Sequence, residues 1–173
     1  AYIGLGNLGG HLAMSLIRNG FDMVVFDRNA ALAERHRQAG AQVADSAKAA
    51  AENADVILTC LPSPAVSELV LDDILSVARK DAIWIENSTL GRDDIIRLCK
   101  KAEDAGLRVL EAPVTGGVHL AAQGNITVLA GGDANLFNEL QPVLRAIGKQ
   151  IFHMGPLGSA AIIKVITNML AFI

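Results

Sequence analysis

A chain that opens Ala1-Tyr2-Ile3-Gly4-Leu5-Gly6-Asn7-Leu8-Gly9-Gly10 has few folds open to it. Tyr2-Ile3 and Leu5 read as a short apolar strand, and Leu8, Leu12, Leu16 and Ile17 then recur on one helical face. The glycines of Gly4-x-Gly6-x-x-Gly9 therefore sit where a strand turns into a helix. Met23-Val24-Val25-Phe26 forms a second buried-strand run, and Asp27 closes it roughly 20 residues beyond the loop. A bare G-x-G-x-x-G is weak in a chain with 16 glycines, but strand, helix and following acid together make a unit. In such a unit Gly4 makes the tight turn, Gly6 lets the backbone approach a pyrophosphate, and Gly9 lets the helix pack on the strand. The helix N-terminus offers free N–H groups and the positive end of its dipole to the phosphates. The opening is predicted to grip a dinucleotide, the alternative being glycines that merely shape a strand-to-helix turn.

The 173 residues fit one domain with a real core. Hydrophobic residues make up 51% and aromatics only 4%, so that core is built from Ala, Leu, Ile and Val, as suits a parallel sheet buried on both faces. A net charge of -3 without a basic cluster argues against nucleic acid. No apolar run approaches the roughly 18 residues of a membrane helix. Cys60 and Cys99 lack metal-ligand spacing and read as reduced, packed thiols, which points to a cytoplasmic protein with no metal site.

Further short apolar runs follow at Val56 to Leu61, Ile83 to Ile85, Val109-Leu110, Ile126 to Leu129 and Ile151-Phe152, with helical stretches between them. That βα alternation predicts an α/β fold with a mainly parallel sheet. Asp45-Ser46 and Asp133 stand as helix caps, while Gly20, Gly40, Gly106 and Gly148 stand where helices should stop. Pro142 should kink or break the helix after Asp133. From about Pro156 to Ile173 apolar residues cover nearly every face of a helix, which predicts burial all round. The chain opens inside a strand without an initiator Met, and this helix ends without a Gly or a polar tail. It is expected to continue beyond both ends.

Inside that apolar helix Lys164 and Asn168, four apart, share one face. A Lys in low dielectric exchanges a proton nearer neutral pH than an exposed one, with Asn168 to orient it or bind substrate. A snorkelling Lys with a helix-helix hydrogen bond is the other reading. Glu111-Ala112-Pro113-Val114-Thr115-Gly116-Gly117 follows a strand, and its turn N–H groups with the Thr115 hydroxyl suit a carboxylate, although such a sequence also serves as a plain turn.

Taken in order, the Gly4 to Gly9 loop, Cys60-Leu61-Pro62, Asn87-Ser88-Thr89, Ala112 to Gly117 with Ala121 and Gly124, and Gly155-x-x-Gly158 leading to Lys164 and Asn168 resemble the β-hydroxyacid dehydrogenase family. Its members include 3-hydroxyisobutyrate dehydrogenase, tartronate semialdehyde reductase and 6-phosphogluconate dehydrogenase. The resemblance runs through essentially the whole chain. It implies a Rossmann-like, doubly wound sheet of about eight strands, with residues 1–155 as the dinucleotide-binding domain and 156–173 as the start of an interdomain helix leading to an all-helical C-terminal domain. It also implies NAD(P)-dependent hydride transfer at the β-carbon of a small 3-hydroxy acid, in a homo-oligomer formed through that helical domain. Lys164 would be the general acid/base, aided by Asn168, and Thr115, Gly116 and Gly117 would hold the substrate carboxylate. Gly4, Leu5, Gly6, Asn7, Leu8, Gly9, Asp27, Arg28, Leu61, Pro62, Val66 and Thr89 would surround the cofactor.

The chain has Thr115 where the family commonly has Ser, and Leu120 where it commonly has Gly. Thr167, next to Asn168, is not the His that sugar-phosphate members carry, which makes 6-phosphogluconate the weaker candidate substrate. His119 reads as a loop residue beside the supposed site. Asp27 points to NAD by accepting from a ribose 2′-OH and repelling a 2′-phosphate, while Arg28 beside it leaves NADP possible. Two other readings are a non-catalytic NAD-binding or dimerisation module and an imine reductase of similar fold.

Overall fold

Alternating aliphatic runs and helical stretches produce a regular βα series in the computed structural model, which describes residues 1–170. The series is β1 (Tyr2–Ile3), α1 (Gly9–Arg18), β2 (Val24–Phe26), α2 (Ala30–Gln38), β3 (Gln42–Val43), α3 (Ala47–Ala51), β4 (Val56–Thr59), α4 (Pro64–Leu75), β5 (Ile83–Glu86), α5 (Arg92–Asp104) and β6 (Arg108–Glu111). These strands pair in parallel in the order β3-β2-β1-β4-β5-β6. The chain continues through β7 (Val114–Thr115), α6 (Gly117–Ala122), β8 (Thr127–Gly132), α7 (Ala134–Glu139), α8 (Gln141–Ile147), β9 (Gln150–His153) and α9 (Ser159–Leu170).

The sheet changes direction at β8, which runs antiparallel to both β6 and β7. Leu110 lies opposite Gly132, Glu111 opposite Gly131, Val114 opposite Val128 and Thr115 opposite Thr127, so the register is unbroken. The Leu129 N–H donates to the Pro113 carbonyl at 2.9 Å and carries the ladder across the gap. β6 and β7 are thus one strand interrupted at Ala112-Pro113, where proline supplies no N–H. β9 adds to β8 in parallel.

The described residues form nine strands, against the expected eight or so. β3 is two exposed residues at the sheet edge and has no apolar run to announce it; β7 hides in what reads as a turn. Successive strand residues face opposite sides. Tyr2, Val25, Leu58, Ile85 and Leu110 meet Leu12, Leu16 and Leu144 on one face, while Ile3, Ile57, Trp84 and Val109 meet Leu71, Ile74 and Leu98 on the other. Each such fully buried Leu or Ile contributes on the order of 1.5–3 kcal/mol.

Local signals hold where they were expected. Ser46 caps α3 by accepting from the Ala49 N–H at 3.0 Å, and Asp133 caps α7 by accepting from Leu136 at 2.8 Å. The helix after Asp133 breaks at Leu140, and Pro142 stands in the first turn of α8. Gly148 ends α8 for a different reason from Gly20, Gly40 and Gly106: its backbone is extended, and a Cβ there would press on the Ile126 carbonyl. At the N-terminal edge of the sheet, Asp81 before β5 is the one described non-glycine residue with positive φ, at 66°.

α9 is as apolar as expected. Ala160 and Ala161 are buried, but Ile162, Ile163, Val165, Ile166, Met169 and Leu170 are exposed, the last two at 64%. Beyond its first turn the helix carries apolar side chains that the described elements cover only in part. Phe172 and Ile173, read as part of the same apolar face, lie outside the described residues. Among the described residues no helix is long and apolar enough to cross a membrane, and no cluster of His, Cys, Asp or Glu is placed to hold a metal.

Candidate active site

Parallel strands present their carboxyl ends along one edge, and the crevice beside β1, where strand order reverses, is the usual ligand site of such sheets. Here a cleft of about 460 Å³ opens at that point. It is lined by Gly4, Gly6, Asn7, Leu8 and Gly9 after β1, Asp27 and Arg28 after β2, Leu61 and Pro62 after β4, and Val66 on α4. A broader hollow of about 710 Å³ lies at the opposite edge and contains none of them.

The three loop glycines act in different ways. Gly4 has φ +95°, and a Cβ there would overlap the Cys60 carbonyl oxygen. A Cβ on Gly9 would overlap the Gly4 carbonyl and touch the Cys60 Cβ at 3.0 Å, so this glycine seats α1 against β1 and β4. A Cβ on Gly6 would meet nothing within 4 Å, which leaves that backbone open to an incoming group. The N–H groups of Gly6, Asn7 and Leu8 donate no hydrogen bond within the described residues, and α1 has no side-chain cap. This bare, N–H-rich cradle fits a pyrophosphate.

Asp27 is fixed by the loop itself. Its Oδ2 accepts the Leu5 N–H at 2.7 Å and its Oδ1 accepts the Asn29 N–H at 2.8 Å, leaving further lone pairs toward the cleft. The Leu5 side chain is wholly buried in the core, so Leu5 serves the site through its backbone. Arg28 is exposed at the cleft rim. Thr89 is exposed at the end of β5 and lies outside the cleft.

Several supporting contacts were not read from the sequence. Ser88 Oγ donates to Glu86 Oε1 at 2.5 Å and accepts the Leu61 N–H at 2.7 Å, which aims the Leu61-Pro62 segment. Glu86 is buried, and desolvation raises its pKa despite the bonds from Ser88. Among the described residues its buried Oε2 and the buried Ser67 hydroxyl make no hydrogen bond. Tyr2 donates to Asn87 Oδ1 at 3.2 Å, and Asn87 Nδ2 donates to the Ala112 carbonyl at 2.8 Å, so β1, β5 and the Ala112-Pro113 break are tied together. His36, fully buried, sits between the carbonyl oxygens of Gly10 at 2.8 Å and Leu32 at 2.9 Å and pins α2 to the first turn of α1. Ser88 falls in the Asn87-Ser88-Thr89 stretch that carries the family resemblance, and a charged residue at an apolar strand end is the signal that could have drawn attention to Glu86.

Cys60 touches the cleft, but burial pushes its thiol up to about 12, so it stays protonated and works as a small packed side chain. Burial likewise raises the Cys99 thiol.

Farther along the same edge, Thr115 ends β7 half-buried, and Gly116 and Gly117 follow with φ +124° and +83°. Leu120 leans on this turn: a Cβ on Gly116 would lie 2.8 Å from its Cδ1. The turn therefore accommodates leucine at 120 because residue 116 has no side chain. His119 is exposed on α6, rather than in a loop. α9 packs against β7 and β8. On it Lys164 Nζ donates to Asn168 Oδ1 at 2.8 Å, and partial burial lowers the Lys164 pKa from its ordinary 10.5. None of Thr115, Gly116, Gly117, Lys164 and Asn168 lines the cleft at β1. They lie on β7, on the turn after it, and on α9, which packs against β7.

Residues 1–155 match the family of the NAD binding domain of 6-phosphogluconate dehydrogenase. The chain belongs to that family. The chain also aligns over 98% of its length, at 37% identity, with an NAD-dependent L-serine dehydrogenase of Pseudomonas aeruginosa, of which it spans 58%. A solved structure of Mycobacterium tuberculosis 3-hydroxyisobutyrate dehydrogenase with L-serine matches 98% of the chain at a TM-score of 0.95 and 33% identity, and the chain spans 58% of it. An imine reductase of Myxococcus stipitatus, a variant in complex with NAD+, shares the fold over 99% of the chain and 60% of its own, at a TM-score of 0.92 but only 21% identity. The resemblance to the β-hydroxyacid dehydrogenases is borne out, and the NAD-binding assignment with it.

Proposed function

We propose that the protein is an oxidoreductase acting on a small 3-hydroxy acid at its β-carbon, with Lys164 as general acid/base. The observation that carries this reading is the Lys164–Asn168 pair at 2.8 Å on a helix packed against β7, the strand that leads into the Gly116-Gly117 turn. Serine and 3-hydroxyisobutyrate, named for relatives, are both 3-hydroxy acids.

NAD, when bound, supplies the hydride acceptor. The glycine loop holds its pyrophosphate and Asp27 its adenine ribose, with NAD favoured over NADP because the Asp27 carboxylate opposes a 2′-phosphate. The turn N–H groups and the Thr115 hydroxyl hold the substrate carboxylate and so place the β-carbon, positioning that can supply a large part of the barrier reduction. Asn168 accepts one N–H of Lys164, which leaves the lone pair of the neutral amine free to take the hydroxyl proton during oxidation and to return it during reduction. In this reading residues 1–155 are the dinucleotide-binding domain and α9 begins an interdomain helix, its apolar face covered by a following helical domain through which subunits associate.

The test is turnover of 3-hydroxyisobutyrate, L-serine, glycerate and threonate with NAD by the complete gene product. Lys164→Ala should lower kcat by about 10²–10⁴-fold while the NADH dissociation constant changes less than about twofold. Because burial lowers the Lys164 pKa, oxidation should rise with pH through an ionisation below the usual lysine range, and reduction should fall through the same one. Unaltered turnover in Lys164→Ala overturns the reading.

A further inference from the structure

Glu111 ends β6 with its carboxylate wholly buried. Its Oε1 accepts the N–H groups of Gly158 at 2.6 Å and Ala160 at 3.0 Å, and its Oε2 accepts that of Ala161 at 3.1 Å. These are donors of the first turn of α9, which have no partner inside the helix. The residue opposite Glu111 in the ladder is Gly131, where a Cβ would overlap the carboxylate, so the glycine makes room for it.

The arrangement differs from the other capped helices. α2, α3, α4 and α7 are capped by Asn29, Ser46, Ser63 and Asp133, each reaching a few residues along its own chain. α9 is capped across 47 to 50 residues, from a strand of the central sheet. A local cap stabilises a helix, whereas this one also fixes where the helix stands. The packing of α9 on β7, β8 and α5 is shallow, with Ala160 and Ala161 its only fully buried residues, so these three bonds add a directional tie at its start. Lys164 lies just one turn beyond those alanines, and the backbone on the other side of Glu111 runs directly into Pro113, Val114 and Thr115.

We propose that Glu111 is a positioning residue that locks the start of α9 to the sheet and thereby sets Lys164 against the Thr115-Gly116-Gly117 turn. This rests on the assignment of Lys164 as the proton-transferring group. A misplacement of about 1 Å in such a group can lower a rate by roughly 100-fold. The bonding also explains why a carboxylate is present: its charge faces the positive end of the helix dipole. Burial raises the Glu111 pKa, and the three N–H groups offset part of that rise.

The experiment uses the complete gene product with NAD and its best 3-hydroxy acid, comparing Glu111→Gln, Glu111→Ala and Lys164→Ala. Gln keeps one carbonyl oxygen for Gly158 and Ala160 but turns an NH₂ toward Ala161, so kcat should fall in the order Glu, Gln, Ala. The expected loss is roughly 10- to 100-fold, with the NADH dissociation constant within about twofold and amide exchange faster across residues 159–170 but not in β4 and β5. Wild-type kcat in Glu111→Gln, even with faster exchange, overturns the positioning role, as does a matching loss of NADH binding, which would mark a fold-wide effect. If Glu111→Ala does not fold, Glu111→Gln decides alone. Normal kinetics in Glu111→Gln beside an inactive Lys164→Ala sinks only the positioning role; an active Lys164→Ala sinks the Lys164 assignment itself.

Discussion

At Asp27 two backbone N–H groups, from Leu5 and Asn29, converge on one carboxylate. The side chain is therefore fixed before any ligand arrives, and its charge stands where an adenine ribose would lie. Asn at this position keeps the Oδ1 acceptor but removes the charge. Unit charges near 4 Å interact by about 1 kcal/mol even in water, so Asp27→Asn should narrow the preference for NADH over NADPH by roughly five- to tenfold. Paired titrations with the two cofactors measure it, and an unchanged ratio would assign the choice elsewhere, with Arg28 the neighbouring candidate. The glycine loop and Asp27 were legible in the sequence because their roles are local: each glycine answers to a turn, a bare backbone or a close approach within one βαβ unit. Glu111 and His36 were not. Each makes its decisive contacts with residues distant in sequence, and nothing beside them in the chain says where those contacts are.

Among the elements, the ends of β4 and β5 are coupled through Ser88, which bonds Glu86 on one side and the Leu61 N–H on the other. Ser88→Ala removes a donor to a buried carboxylate and orphans a partly buried N–H. A loss of about 1–3 kcal/mol in unfolding free energy should follow, read from denaturant titration, together with weaker NADH binding as Leu61-Pro62 loosens. A variant with wild-type stability would show that solvent replaces both bonds. The helices with local caps, the break before Pro142 and the parallel half of the sheet were all readable from neighbouring residues. β3 and β7 were not, since two-residue strands exist only through their partners. The reversal at β8 was equally silent, because an antiparallel and a parallel strand carry similar apolar runs when buried on both faces.

For the whole molecule, α9 has the apolar character read from the sequence, and within residues 1–170 only its Ala160 and Ala161 are buried. Apolar faces of this kind drive association. The 173-residue chain by itself should self-associate, and replacing Ile166 and Met169 by Gln should shift it toward monomer in sedimentation velocity without changing NADH binding. A monomeric parent chain would contradict this.

Every residue proposed for chemistry, from Gly4 to Asn168, lies at the carboxyl-terminal edge of the sheet or on the helix leaving it, and Asp81, with its left-handed backbone, lies at the other edge. For protein engineering this separates two tasks. Changes at sites well apart and without shared partners add nearly independently, so the turns before β4, β5 and β6 can be rebuilt for durability while the working edge is varied for substrate, each without undoing the other.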